Sequence, residues 1–137
     1  MAKVTGIGGI FFKTKDVQKT KNWYQEHLGL QTDQWGTNFE WRTARDPSQK
    51  GFTQWSPSSP ESNFFGNDDQ QFMINYRVDD LEALIENLRS QGVKILDEIE
   101  SVEYGKFVHI LDPDGHKVQL WEPNDEEYDK IVEGRTF

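Results

Sequence analysis

Apolar positions along this chain recur with two periods, two and 3.6, and the order in which they occur is repeated. Residues 4–13 alternate apolar and small side chains as a strand does. Asp16 then stands where a helix N-cap accepts backbone N–H groups. Trp23, Tyr24 and Leu28 follow at helical spacing on one expected buried face, and Gly29 stops the helix near Leu28. Residues 30–34, 38–42 and 51–55 predict three short strands, with a turn at Asp46, Pro47 and Ser48 before the third. The second half opens with a strand over 71–78, a cap at Asp79 or Asp80, and Leu81, Leu84, Ile85 and Leu88 on one helical face ending at Gly92. Strands over 94–99, 106–111 and 117–121 complete it. The last two are joined by Asp112, Pro113, Asp114 and Gly115, with Pro and Gly where a tight hairpin turn needs them.

Sliding the chain against itself by 64 positions sets Ile10, Phe12, Asp16 and Val17 beside Ile74, Tyr76, Asp80 and Leu81. A shift near half the length predicts two similar modules in one fold, since a solenoid needs at least about three repeats. The boundaries follow: one domain over 1–137, with module one over about 1–56, a linker loop over 57–69, module two over 70–122 and an acidic tail over 123–137. Phe64 and Phe65 in the linker are expected to tuck against the body. The tail is compatible with a short terminal helix and reads as a solvated segment packed by Tyr128 and Ile131.

Composition narrows the function classes. Hydrophobic content is only 34%, but 9 Phe, 5 Trp and 4 Tyr supply large apolar areas, so a packed core is expected rather than disorder. A formal net charge of −9 with no Lys or Arg run argues against nucleic acid and against anionic membrane surfaces. No stretch approaches the roughly 20 apolar residues of a membrane span, and the N-terminal residues lack a signal-peptide pattern, so the expectation is a cytoplasmic protein. The absence of cysteine excludes disulfides and thiolate metal sites. Gly6, Gly8 and Gly9 lie inside a strand-like segment, the wrong context for a phosphate loop; close backbone packing explains them better. There is no nucleophile elbow and no His pair at i and i+4. Of the three histidines, His27 suits a helix C-terminus and His116 an exposed turn, while His109 suits either a cavity or a satisfied buried position.

The strings DPDGHKVQLWEP, KDVQKTKNWYQEHLGL and MINYRVDDLEALIENLRSQGV together resemble the vicinal oxygen chelate superfamily of glyoxalases, bleomycin-resistance proteins and extradiol dioxygenases. The resemblance implies an α+β fold in which two βαβββ modules form an incomplete barrel around a cleft, and a homodimer. Active members of that family hold one divalent metal with two side chains from each module, normally His, Glu or Gln. The matched positions here are Gly9, Gln54, Met73 and Gln119. Gly has no donor, a thioether suits soft ions, and two neutral amides supply no charge, so neither a metal nor another cofactor is expected.

With those positions facing the cleft, strand alternation places Phe11, Asn75, Arg77 and Trp121 beside them. The candidate ligand-binding set is Phe11, Trp41, Gln54, Met73, Asn75, Arg77, His109, Gln119 and Trp121, with Ile10, Phe12, Ile74, Tyr76 and Leu120 turned toward the helices. Two functions compete, beside a third, a metal-independent enzyme using His109 or a Glu as base, for which the sequence offers no constellation. One is a metal-free protein that binds a small organic molecule in an aromatic cleft. The other is a metal-dependent glyoxalase-like lyase or isomerase acting through an enediolate, for which the matched positions supply no Lewis acid site.

Overall fold

The computed structural model describes residues 2–133. Its elements are β1 (Val4–Lys13), α1 (Val17–Leu28), β2 (Thr37–Arg42), β3 (Lys50–Ser58), β4 (Phe72–Val78), α2 (Leu81–Ser90), β5 (Glu100–Val102), β6 (Gly105–Leu111), β7 (Lys117–Pro123) and α3 (Asp125–Val132). The strands form one seven-stranded sheet in the order β2-β3-β1-β4-β7-β6-β5, which does not close into a barrel. β1 and β4, the first strand of each module, pair antiparallel at its centre, and each pairs parallel with the last strand of its own module.

The helices start where side chains satisfy otherwise orphaned amides. The Asp16 carboxylate accepts the Lys19 N–H and the Asp80 carboxylate accepts the Ala83 N–H, both at 3.1 Å. Gly29 closes α1 with φ 74°, a left-handed conformation that a side chain disfavours. Strand alternation then sorts the two faces of the sheet. Val78, Val108 and Leu120 pack with Leu81 and Ile85 of α2, while Phe12 meets Trp55, which meets Tyr24 of α1. Odd-numbered neighbours such as Phe11, Asn75, Gln119 and Trp121 therefore look out of the opposite face.

That opposite face is partly filled by the chain's own C-terminal segment. α3 lays Tyr128 and Val132 into a core with Phe52 and Trp121, so it is an integral element and not a solvated tail. Asn124 caps it by accepting the Glu127 N–H, and Asp125, Glu126 and Glu127 complement the positive end of its dipole. Of the two residues expected to pack the tail, Tyr128 is buried and Ile131 is exposed.

Three other expectations are corrected. Trp23 and Leu28 are exposed rather than buried, and Trp23 stacks on His27 at 4.8 Å along the outer surface of α1. Residues 30–34 form no strand but a turn: Asp33 accepts the Trp35 N–H through its carboxylate, and the buried Lys21 donates its ammonium protons to the Asp33 carbonyl at 2.9 Å. The strand over 94–99 is broken into an isolated bridge, Ile95 with Ile110, and the separate β5. The cause is Asp97, whose carboxylate takes the His109 backbone N–H at 2.8 Å in place of a ladder carbonyl.

Candidate ligand-binding site

The sheet register lines up the candidate site. Gly9 of β1 lies opposite Gln54 of β3 and Asn75 of β4; Asn75 lies opposite Gln119 of β7, and Gln119 opposite His109 of β6. Five strands thus contribute one lateral row, with Gly9 the gap in it. Gly8 is the additional residue of a bulge between Ile7 and Gly9, and the Asn75 amide lies over it: a Cβ at Gly8 would come within 2.2 Å of Asn75 Oδ1.

The polar side chains of the row are joined. Asn75 Nδ2 donates to Gln119 Oε1 at 2.6 Å, Gln119 Nε2 donates to His109 Nε2 at 3.1 Å, and His109 Nδ1–H donates to Asp97 Oδ2 at 2.7 Å. Asp97 holds both the ring and the backbone of His109, which fixes the imidazole with Nε2 turned to the row. Gln54 is joined to α3, because the Tyr128 hydroxyl shares its proton between Asn38 Oδ1 at 2.6 Å and Gln54 Oε1 at 3.0 Å. Asn75 Oδ1 is buried without a partner.

Above the row is a cavity of about 510 Å³. Its walls are aromatic, with Phe11, Phe64, Tyr104, Phe107 and Trp121, and Tyr128 from α3. Phe107 and Trp121 stack with planes 6° apart, Tyr128 meets Trp121 edge-on, and Phe64 meets both Phe11 and His109 edge-on. Phe64 is held over the opening by Lys117, whose ammonium donates to the Phe64 carbonyl at 2.8 Å and lies over its ring. In the linker, then, Phe65 is buried as expected, but Phe64 is a partly exposed cavity wall.

Of the nine candidate residues, Phe11, Gln54, Asn75, His109, Gln119 and Trp121 border this cavity. Met73 does not; it lies opposite Phe11 in the sheet, fully buried. Trp41 and Arg77 border a different, open groove on the far side of α3. There the buried Arg77 guanidinium sits between the rings of Trp41 and Trp121, 5.2 and 5.3 Å from their centres, and is ion-paired with Asp125. The other two histidines do not border the cavity. His27 contacts the Trp23 carbonyl, and His116 is bonded to Asp112. Sequence reasoning missed Phe64, Tyr104, Phe107 and Tyr128 as walls, and Asp97 as the partner of His109. Asp97 had a legible signal, since an acid interrupts an expected apolar strand.

The arrangement is the two-module sheet with a cleft that glyoxalase-type proteins share. Residues 6–120 match the model of the Glyoxalase/Bleomycin resistance protein/Dioxygenase superfamily, and the chain belongs to that superfamily. It is 25% identical over 119 residues to the uncharacterized protein YetH of Bacillus subtilis, covering 85% of this chain and 97% of the relative. Among solved structures it is similar to methylmalonyl-CoA epimerase from Mycobacterium tuberculosis, with TM-score 0.58 and 26% identity over 88% of this chain and 89% of that one. It shares the fold of methylmalonyl-CoA epimerase from Streptomyces coelicolor, with TM-score 0.66 and 16% identity, covering 91% and 99% of the two chains. The same holds for a Mn(II)-bound glyoxalase from Novosphingobium aromaticivorans, with TM-score 0.56 and 19% identity, where 89% of this chain matches 40% of that one.

A metal of the kind that glyoxalase holds does not fit this row. Its donors are three neutral amides and one imidazole whose Nε2 already accepts from Gln119, while Gly9 contributes none. Neutral donors leave the dehydration of a dication uncompensated. Among the described residues no group of three or more His, Asp or Glu side chains could hold an ion, and no helix is long and apolar enough to cross a membrane.

Proposed function

We propose that this protein binds a small organic molecule in the aromatic cavity without a metal. The observation that carries the reading is the lateral row itself: at the positions where the sheet register converges, the chain presents Gln54, Gly9, Asn75 and Gln119, all uncharged, beneath aromatic walls. Such a site offers stacking surfaces and directional amide hydrogen bonds, the mixture a ligand pocket needs for affinity and orientation. A titration with 1-naphthol, followed by the quenching of the tryptophans, tests it. Saturable quenching weakened by Phe107→Ala or Phe64→Ala supports the reading. Quenching that neither saturates nor responds to those changes contradicts it.

A second reading, proton transfer on a bound substrate, is favoured by one observation: Asp97 holds the His109 Nδ1–H so that Nε2 faces the cavity. The likeness to methylmalonyl-CoA epimerase makes that acyl thioester the first compound to try. Retention of all its carbon-bound protons in D2O with the protein present would remove this reading. We also propose a homodimer, since β2 and β5 end the sheet with unpaired edges. Light scattering showing a strict monomer at tens of micromolar would remove that part.

A further inference from the structure

We infer that the cavity selects uncharged planar molecules whose edge carries a carboxamide or lactam group, and rejects the matching carboxylates. The inference rests on the cavity being the binding site and adds the chemical class of what it takes.

The first argument is charge. Among the described residues, the one with a formal charge bordering the cavity is Glu100, which is acidic; no described Lys or Arg borders it. The nearby Arg77 is turned away behind Trp121 and paired with Asp125. Both ring nitrogens of His109 are already engaged, Nε2 with Gln119 and Nδ1 with Asp97, so neither is free to meet an incoming anion. A carboxylate that enters sheds water and meets no cation among the described residues, so its burial is disfavoured unless its lone pairs are all satisfied.

The second argument is the polarity of the hydrogen-bond chain. From Asn75 to Gln119 to His109 to Asp97 every group donates onward, so the chain ends at Asn75 with an acceptor, Oδ1, that has no partner and lies over Gly8 on the cavity lining. Gln54 likewise turns its Oε1 to the Tyr128 hydroxyl. A carboxylate brings acceptors only. A carboxamide or lactam brings an N–H for Asn75 Oδ1 and a carbonyl for the remaining amide protons of Asn75 and Gln119, so it extends the row in both senses. The third is shape: the walls are largely aromatic, with Phe11, Phe64, Tyr104 and Phe107 among them, and a planar ring system covers such surface.

The test compares naphthalene-2-carboxamide, naphthalene-2-carboxylate and naphthalene with the full chain at constant ionic strength, by calorimetry and ligand-observed NMR. The inference expects the amide to bind at least about tenfold more tightly than the acid, because a site built on buried hydrogen bonds discriminates strongly. Gln119→Met is expected to erase that preference while naphthalene still binds. Should Gln119→Met not fold, contacts in the wild-type protein between the ligand carboxamide protons and the side-chain amide protons of Asn75 and Gln119 provide the same check. Amide and acid within threefold of each other, or a tighter acid, overturn the inference and leave the cavity as a binding site. Binding by none of the three up to about 1 mM, weaker than about −4 kcal/mol, overturns the cavity reading and this inference with it.

Discussion

Replacing Tyr128 by Phe removes one oxygen and tests whether α3 is built into the fold. In the native chain that hydroxyl is the bonded partner of Asn38 Oδ1, and the Asn38 side chain is itself buried, with Nδ2 unpartnered. The substitution keeps the ring against Trp121 and Phe52, at centroid distances of 5.0 and 5.3 Å, so the packing term is nearly unchanged. What remains is a buried amide stripped of its hydrogen bond, a loss of about 1–3 kcal/mol, more than the roughly 0.5–1.5 kcal/mol of an average bond because the abandoned group cannot reach water. Tyr128→Ala also removes the ring from the Phe52, Trp121 and Val132 core and is expected to cost about 3–5 kcal/mol. Urea unfolding followed by tryptophan fluorescence measures both, with the slope unchanged if only stability is altered. If Tyr128→Phe lies within about 0.3 kcal/mol of wild type, the hydroxyl is solvated and α3 does not dock as described.

Two further outcomes follow from the geometry. Gly8→Ala places a Cβ 2.2 Å from Asn75 Oδ1 and 2.9 Å from both Arg77 and Trp121, so it is expected to destabilise by about 1–3 kcal/mol and to lower the midpoint of a thermal melt; an unchanged melt would mean the row is looser than the contacts indicate. Asp112 in the β6–β7 turn has its carboxyl held below the usual range, first by the His116 backbone N–H and then by the His116 ring and the Asp114 N–H. A depressed folded value means that its contribution is present above the unfolded value of about 3.9 and is lost as pH falls through the folded one. The stability gap between wild type and Asp112→Asn, measured by urea unfolding from pH 6 downward, should therefore shrink on the acid side; a gap independent of pH would refute the assignment.

The parts of the fold legible in the sequence were those where local chemistry and burial agree. Asp16 and Asp80 cap because carboxylates beside free helix amides have one favourable use, and Leu81, Ile85 and Leu120 are core because their period leaves no other face for them. Trp23 and Leu28 misled because apolar spacing on a helix does not say whether the partner surface belongs to this chain. Residues 94–99 misled because a single side chain, Asp97, outcompeted the backbone for the His109 N–H, which β-propensity does not register.

The candidate site was legible as far as strand alternation reaches. Alternation places Phe11, Asn75, Gln119 and Trp121 on one face, but it does not separate one end of that face from the other, so Trp41 and Arg77 were grouped with a cavity from which α3 divides them. Nor does it foresee a wall brought from elsewhere in the chain. Phe64 comes from a loop and Tyr128 from an acidic segment whose charge suggested solvent, and only tertiary packing joins them to the row.

The most direct test of the central claim, a cleft whose amide row works without a metal, is the metal content of tag-free protein. The protein would be incubated with Ni, Zn, Mn or Fe(II), desalted and submitted to elemental analysis. The account predicts retention below about a tenth of an equivalent for each ion, since neutral amides and one engaged imidazole do not offset the dehydration of a dication. Near-stoichiometric retention that Gln119→Ala abolishes would contradict it and return the site to metal-assisted chemistry.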